Sequence, residues 1–345
     1  MRSSPLDLQT DVTPVVTGAA AMSAVVQDKY GTVPEDVLRF DEVRRPAVGD
    51  DGVLLRVRAA SVDRGTWHIM AGLPYPIRVA GFGLRKPKHR NPGRSAAGTI
   101  ESVGKNVTAF KPGDEIYGTC DGAFADYALA RPARLALKPP NLSFEEASAV
   151  PVSGLAALQA VRDRANVQVG QKVLIIGSSG GVGTFAVQIA KAFGAEVTGV
   201  CSTAKLDLVR SLGADHVIDY TRHDLPDGQR YDAILDIGGN RRLSHLRRNL
   251  TPRGRLVIVG GETDGRWLGG TGRQLRAQLL SPFVSQKLGT FISSENAADL
   301  AVLRELIESG KVSPAVDRTF PLRDAPAAIR YVVEGRARGK IVIAV

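Results

Sequence analysis

Four glycines occupy one short stretch of the chain, between an apolar run and a helical pattern. They follow residues 172–176 with the spacing Gly177-x-x-Gly180-x-x-Gly183, and Gly181 lies between them. Glycine is expected where a pyrophosphate must approach backbone N–H groups closely, because a side chain would block the approach. The alternative is a tight turn between strand and helix that binds no ligand. The strand and helix that flank the turn favour a nucleotide site.

A second polar stretch follows about 20 residues later, where NAD sites carry an Asp or Glu for the ribose hydroxyls. Here the chain reads Cys201-Ser202-Thr203-Ala204-Lys205 and contains no acid. Two hydroxyls and an ammonium suit a 2′-phosphate, so the sequence favours NADP over NAD. The same residues also fit a helix N-cap followed by a solvated lysine, and the two interpretations are compatible.

The elements around the glycine turn have the periodicities of a βαβ unit. Residues 172–176 are apolar and rich in β-branched side chains, which predicts a buried strand. From Val182 to Phe193 the apolar residues follow helical spacing, Gly194 ends the helix, and residues 196–201 predict a second strand. A helical crossover makes the two strands parallel. We therefore predict an α/β fold with a doubly wound domain at residues 148–288.

Alternating elements continue after this unit, whereas the first part of the chain differs. We predict helices at residues 205–212, 246–250, 295–309 and 325–334, and strands at 216–220, 231–237, 255–259, 287–292 and 340–345. Ser294 and Asp324 are the expected N-caps of the last two helices. The N-terminal segment predicts only strands and dense turns until a capping box, Ser143 to Glu146, opens a helix.

These patterns divide the chain into two domains and a leader. A β-rich domain is expected at residues 22–147, completed by residues 289–345, around the doubly wound domain at 148–288. Residues 1–21 predict a disordered leader that resembles a signal peptide only loosely. No apolar run approaches the about 20 residues of a membrane span, so no membrane association is expected.

Composition limits the partners and the compartment. The 345 residues are 43% hydrophobic with a formal net charge of +10, which would suit nucleic acid or a polyanionic cofactor. We prefer the cofactor, and nucleic-acid binding is not expected. The two cysteines, Cys120 and Cys201, lie far apart and do not indicate a disulfide framework. A cytoplasmic location is therefore expected.

The chain from about residue 22 to its end resembles the medium-chain dehydrogenase/reductase superfamily, in its zinc-independent quinone oxidoreductase (zeta-crystallin-like) branch. The motifs that carry this resemblance are AASVD at 59–63, VTAFKPGDEIYG at 107–118, GAFADY at 122–127, PVSGLAALQ at 151–159, GGVG at 180–183, LGAD at 212–215 and GKIV at 339–342. The resemblance implies a GroES-like substrate domain, a Rossmann domain, a cleft between them and a homodimer.

By position, the resemblance also implies cofactor contacts. The glycine turn would meet the pyrophosphate, Ser202, Thr203 and Lys205 the 2′-phosphate, and Tyr220 the adenosine ribose. The strand ends and the C-terminal segment would border the rest of the cofactor. The complete predicted set is Ser153, Ser179, Gly180, Gly181, Val182, Ser202, Thr203, Lys205, Tyr220, Gly238, Gly260, Gly261, Phe291, Ser293, Arg338 and Lys340.

The chain departs from the family on the substrate side, where Asp63 stands in place of a common Asn and Ser95 in place of an acid. Candidate proton donors are Asp63, His68 and Tyr75, with solvent as the alternative, and each side chain also has a purely structural interpretation. A structural zinc lobe needs about four cysteines, which the chain lacks. A lone zinc held by Cys120, His68 and an acid is the alternative to a metal-free site, which we prefer.

Three functions fit this sequence. The first is an NADPH-dependent reductase of quinones or α,β-unsaturated carbonyls, since acceptors that are already activated need no metal. The second is a metal-free NADP-dependent alcohol or aldehyde oxidoreductase. The third is an NADPH-loaded module that binds nucleic acid or a partner through arginines such as Arg241, Arg242, Arg247 and Arg248, although these more simply line a solvated helix.

Overall fold

A computed structural model describes residues 21–226, 228–239, 241–260, 267 and 271–345. Its strands are β1 (Ala21–Gln27), β2 (Leu38–Arg44), β3 (Val53–Val62), β4 (Ser95–Val103), β5 (Glu115–Asp121), β6 (Tyr127–Leu137), β7 (Lys172–Ile176), β8 (Glu196–Cys201), β9 (His216–Asp219), β10 (Tyr231–Asp236), β11 (Leu250–Ile258), β12 (Lys287–Thr290), β13 (Val316–Pro321) and β14 (Lys340–Ala344). Apart from Ala21, which begins β1, the predicted leader lies outside the described residues. Gly261 does so as well.

Helices connect these strands, and only some of them cover the parallel sheet. They are α1 (Pro34–Val37), α2 (Arg64–Ala71), α3 (Phe144–Ala149), α4 (Pro151–Gln159), α5 (Gly181–Ala192), α6 (Leu206–Ser211), α7 (Leu243–Arg248), α8 (Thr271–Leu280), α9 (Ala297–Glu308) and α10 (Ala325–Val333). Among the described residues, no helix is both long and apolar enough to cross a membrane.

One six-stranded sheet is parallel and has the order β12-β11-β10-β7-β8-β9. Counted from β7, this is the 3-2-1-4-5-6 order of a doubly wound Rossmann sheet. The order reverses between β7 and β10, and ligands of such sheets bind outside the carboxyl ends of the strands at that point. The predicted βαβ unit is therefore confirmed, with β7, α5 and β8 at its centre.

The other six-stranded sheet has the order β13-β14-β3-β4-β5-β6, and an extra β3–β6 pairing closes it on itself. The pairs are antiparallel except for β13 with β14. Alternate side chains of β3, such as Val53, Leu55 and Val57, are buried in its core. The last strand thus returns to the N-terminal sheet, as the GroES-like interpretation requires.

The N-terminal segment is not all-β, because α2 interrupts it. Asp63 is its N-cap, and its side chain forms a capping box with Thr66. The short helix ends at Gly72 in the left-handed conformation. We expected only strands and turns here, and that expectation was wrong.

Two further helix boundaries differ from the predictions. The cap of α9 is Asn296, whose side chain accepts a hydrogen bond from the Asp299 N–H, whereas Ser294 bonds the amide of Gln159. The helix predicted at 246–250 spans Leu243–Arg248 instead, and it ends before Leu250 because that residue pairs with Tyr231 and opens β11. In both places long-range pairing overrides the local signal.

Candidate functional site

A cleft of about 690 Å³ opens at the carboxyl ends of β7, β8 and β10 and is walled on the other side by the antiparallel sheet and its connections. Eleven of the predicted site residues lie in its wall: Asp63, Ser153, Ser179, Gly180, Gly181, Val182, Ser202, Lys205, Tyr220, Gly238 and Lys340. The structure therefore brings together residues that stand up to 277 positions apart in the chain.

The glycine turn places the start of α5 at the floor of this cleft. Gly180 is the N-cap and supplies no side-chain acceptor, so the first N–H groups of the helix are left for a ligand. A Cβ at Gly183 would lie 2.1 Å from the carbonyl oxygen of Gly177, so that position accepts only glycine. A Cβ at Gly180 would meet nothing closer than 3.5 Å. The turn is thus closely packed at Gly183, and it is open toward the cleft at Gly180.

Four polar residues, Asp63, Ser95, Ser153 and Lys340, form what we call the buried cluster. Lys340 is 1% exposed. Its ammonium donates to the Asp63 carboxylate, to Ser153 Oγ at 3.1 Å and to the Val62 carbonyl at 3.3 Å. All three of its N–H donors therefore have an acceptor, and its charge is balanced by a carboxylate.

Both oxygens of Asp63 are occupied as well. Ser153 Oγ donates to Oδ1 at 2.8 Å, and Ser95 Oγ donates to Oδ2 at 3.3 Å. The N–H of Val152 donates to Ser95 Oγ at 3.2 Å, which fixes that hydroxyl. In sequence, Ser95 is marked only by its departure from the family. Its role as a donor to Asp63 could not be inferred from sequence alone.

Ser202, Thr203, Lys205 and Tyr220 surround the end of β8, and we call this group the β8 rim. The Lys205 ammonium donates to the carbonyls of Gly335 at 2.8 Å and Ala337 at 2.7 Å. Burial lowers the pKa of Lys205 below its usual value. Among the described residues no carboxylate forms an ion pair with it. Asp317 acts on Lys205 electrostatically without pairing with it, so within the described part of the chain the β8 rim presents an ammonium that has no ion-pair partner.

Thr203 is turned away from the cleft. Its hydroxyl donates to Asp219 Oδ2 at 2.5 Å, and this hydrogen bond is the main cause of the lowered pKa of Asp219. Arg338 likewise lies outside the cleft wall, with its guanidinium donating to the Ala204 carbonyl. Of the three residues predicted to contact a 2′-phosphate, Ser202 and Lys205 therefore lie in the wall of the cleft, and Thr203 does not. Tyr220 lies in the wall as well.

A cation that we had placed elsewhere also reaches the cleft. Arg241 lies in the wall, 17% of its side chain is exposed, and it pairs with Asp224. It precedes α7, which begins at Leu243. Of the four arginines expected to line a solvated helix, Arg247 and Arg248 lie in α7 and Arg242 is its exposed N-cap, so the expectation is wrong for Arg241.

Of the three candidate proton donors, Asp63 alone lies in the wall of the cleft. The half-buried His68 contacts the Leu73 carbonyl through Nδ1 at 2.9 Å, and its ring lies 5.1 Å from that of Trp67. Tyr75 packs edge-on against Trp267 with ring centroids 5.2 Å apart. The structure therefore does not bring the three together.

The residues predicted near the ends of β11 and β12 lie outside the wall. Phe291 packs against the core below α4 and α9, with the Arg164 guanidinium 5.4 Å from its ring. Ser293 is partly exposed. Gly260 is close-packed, because a Cβ there would lie 2.2 Å from the Ile237 carbonyl oxygen. Its packing explains the glycine without a ligand.

The described residues do not supply a metal site. No three His, Cys, Asp or Glu side chains among them lie close enough to hold an ion. Cys120 is buried, and burial raises its pKa to about 12, which disfavours the thiolate that zinc requires. The zinc site weighed in the sequence analysis, with Cys120 and His68 as ligands, therefore has no ligand set here.

Comparisons with known proteins agree with this architecture. Residues 49–141 match the alcohol dehydrogenase GroES-like domain family, and residues 212–343 match a family described as zinc-binding dehydrogenase. The donor set described above does not fit the zinc of that description. A chloroplastic quinone-oxidoreductase, QR1 of Triphysaria versicolor, is 31% identical over 93% of this chain and 98% of its own.

Two other proteins extend the comparison. The mitochondrial NAD(P)H oxidoreductase RTN4IP1 of Bos taurus is 32% identical over 94% of this chain and 89% of its own. The structure of the quinone oxidoreductase from Coxiella burnetii superposes with a TM-score of 0.81 at 25% identity, over 94% of this chain and all of that one. These relatives support NAD(P)H-dependent oxidoreductase activity. With its fold, its cleft and its relatives in agreement, the chain belongs to the quinone oxidoreductase branch of the medium-chain dehydrogenase/reductase superfamily.

Proposed function

We propose that this protein is an NADPH-dependent, zinc-independent reductase that delivers hydride to a quinone or an α,β-unsaturated carbonyl. The observation that carries this proposal is the contrast within one cleft between a neutral buried cluster and a cationic β8 rim. A dinucleotide laid across the carboxyl ends of β7 and β8 would meet both.

The residues of the cleft fit NADPH. The N–H groups at the start of α5 would bind the pyrophosphate, since glycine leaves them accessible and the helix dipole favours an anion there. Lys205 would bind the 2′-phosphate, and the hydroxyl of Ser202 would add a donor. Among the described residues of the wall, Asp63 is the one acid, and Lys340 already neutralises it. NAD would therefore find no free carboxylate for its ribose hydroxyls in this described part of the wall.

When bound, NADPH would supply the hydride. The chain itself would hold the cofactor, exclude water and position the acceptor. We propose a metal-free reaction, and an acceptor with an electron-poor double bond suits it because such an acceptor needs no Lewis acid to be reduced. Asp63 and Ser153 are hydrogen-bonded to each other, and neither His68 nor Tyr75 lines the cleft. We therefore assign delivery of the proton to solvent.

Assembly and location are part of the proposal. The large apolar side chains of Leu275, Leu279, Phe283 and Ile292 are exposed on either side of β12. β12 is an edge strand of the parallel sheet, and an edge flanked by apolar surface favours pairing with a second copy. We propose a homodimer through this edge. Both cysteines are free thiols, which suits the reducing cytoplasm that we propose as its location.

Oxidation of NADPH and of NADH by the purified full-length protein tests this function. The acceptors should include quinones, enones and simple aldehydes. The reverse reaction should be assayed with alcohols and NADP⁺. We expect NADPH to be consumed with quinones or enones, with no zinc in elemental analysis and no loss of rate in a chelator. Turnover of alcohols alone, or stoichiometric zinc, would contradict the proposal.

A further inference from the structure

Residues 335–340, which we call the strap, connect α10 to β14. They belong to the antiparallel-sheet domain, yet Gly335, Ala337, Gly339 and Lys340 form part of the cofactor cleft. The N–H of Gly339 donates to the Ser179 carbonyl at 2.9 Å, and Gly339 forms a β-bridge with Gly180. The strap is therefore attached directly to the glycine turn.

Lys205 attaches the strap to the β8 rim. Its ammonium has three N–H donors, of which the carbonyls of Gly335 and Ala337 accept two. The third donor remains for a ligand in the cleft, where Lys205 lies in the wall. Both acceptors are neutral carbonyls, so they hold the ammonium in place without forming an ion pair, and the carboxylate of Asp317 acts on it only electrostatically.

Hydrogen bonds of Arg338 also attach the strap to its surroundings. The guanidinium of Arg338, in the strap, donates to the carbonyl of Ala204, beside Lys205. The backbone N–H of Arg338 donates to Asp317 Oδ2 at 3.0 Å, which anchors the strap to β13. Carbonyls of the strap thus bind the Lys205 ammonium, and the Ala204 carbonyl beside Lys205 binds the Arg338 guanidinium of the strap.

We propose that the strap determines the preference for a 2′-phosphate, by fixing Lys205 so that its remaining N–H faces the cleft. This inference rests on the proposed binding of NADPH there. A free lysine side chain loses much rotamer freedom when it binds a ligand, whereas a lysine held by two carbonyls has already lost it. By linkage, a 2′-phosphate on Lys205 stabilises the strap, and NADH, which lacks that phosphate, does not.

Affinities of strap variants test the proposal. Lys205→Ala should weaken NADPH binding by about 10- to 100-fold, as expected for a charge-assisted hydrogen bond, and change NADH binding less than about 2-fold. Arg210→Ala removes a positive charge from α6, the helix that follows Lys205, at a position outside the cleft wall where Arg210 pairs with Asp207, and it is the control. It should leave the Kd of both cofactors unchanged.

Asp317→Ala gives the discriminating result. Simple electrostatics predicts tighter NADPH binding, because a negative charge near Lys205 is removed. The strap account predicts binding about 3- to 10-fold weaker, because the strap loses its hydrogen bond to Asp317 next to Arg338 and Lys205 is held less firmly. Tighter or unchanged NADPH binding by this variant would overturn the proposal.

Hydrogen exchange of residues 335–340 in the full-length protein supplies the second measurement. Saturating NADPH should slow exchange in the strap more than saturating NADH, and Lys205→Ala should abolish that difference. Equal protection by the two cofactors would overturn the strap proposal and leave NADPH binding intact. Failure of the wild-type protein to bind either cofactor would instead contradict the proposed function itself.

Discussion

Two lysines lie in the wall of one cleft, and their surroundings differ in the feature that matters most. Lys340, in the buried cluster, is paired with the carboxylate of Asp63 and is closed off from solvent. Lys205, in the β8 rim, is held by two carbonyls and pairs with no carboxylate of the described chain. Its charge is therefore available to a ligand, whereas that of Lys340 is not.

The difference indicates that Lys340 stabilises the fold, whereas Lys205 is placed to bind a ligand. A buried ion pair with all its hydrogen bonds made joins four segments of the two domains, and its net charge toward a ligand is near zero. A cation held by neutral groups contributes little to folding but attracts an anion. A survey of charges by residue type alone would have treated the two lysines alike.

The largest expected effect comes from breaking the buried pair. Asp63→Ala leaves the Lys340 ammonium buried without its counterion, and we expect the free energy of unfolding to fall by about 3–5 kcal/mol. Denaturant unfolding measures it. The surface pair of Arg39 and Asp28 is the control, and Arg39→Ala should leave the free energy of unfolding almost unchanged, because exposed ion pairs contribute little. Equal losses in the two variants would show that burial of the cluster is unimportant.

A contrast between two glycines sharpens the account of the turn. Gly183→Ala places a Cβ against the Gly177 carbonyl and should destabilise the protein by about 1–3 kcal/mol or more. Gly180→Ala meets no such clash, so the protein should keep its melting temperature. Its methyl group would instead obstruct the pyrophosphate, and NADPH binding should weaken. If Gly180→Ala bound NADPH normally, the start of α5 would not be the phosphate site.

A smaller effect is expected for the serines of the two regions. Ser153→Ala removes a hydroxyl that accepts from Lys340 and donates to Asp63, and should cost about 1 kcal/mol of stability. Ser202→Ala, in the β8 rim, should change stability by less than about 0.5 kcal/mol. Thermal unfolding measures the stability of both variants. A larger loss of stability in Ser202→Ala than in Ser153→Ala would contradict the assignment of the buried cluster as structural.

The smallest expected effect is a change of cofactor preference with pH. Burial lowers the pKa of Lys205 below its usual value of 10.5, so its charge is lost at a lower alkaline pH than that of an ordinary lysine. The ratio of the NADH Kd to the NADPH Kd should therefore fall as the solution becomes alkaline. Lys205→Ala should show a low ratio that is independent of pH over the same range. A wild-type ratio that rises with pH would exclude Lys205 as the phosphate ligand.

The glycine turn and the parallel sheet were predictable because their signals are local. Residues 172–201 carry the whole pattern of strand, turn, helix and strand, and the structure confirms it. The α3 capping box, with Ser143 and Glu146, was predictable for the same reason. Each depends on residues a few positions apart, so no knowledge of tertiary contacts was needed.

The buried cluster was not predictable, because its members meet only in the fold. Asp63 and Lys340 were each named as site residues, but their pairing joins positions 277 apart. The Asn296 cap was missed because Ser294 carried an equally good local signal, and its contact with Gln159 is long-range. The strap contacts of Lys205 run through carbonyls, which every residue possesses and no sequence pattern marks.

The most direct test of the central claim is the affinity of the wild-type protein for NADPH and NADH, measured side by side at low and high salt. We expect NADPH to bind at least about 10-fold more tightly at low salt, as one charge-assisted phosphate contact predicts. Salt should reduce that advantage, since it screens the contact with Lys205. Equal affinities, or tighter binding of NADH, would contradict the claim that the β8 rim selects a 2′-phosphate.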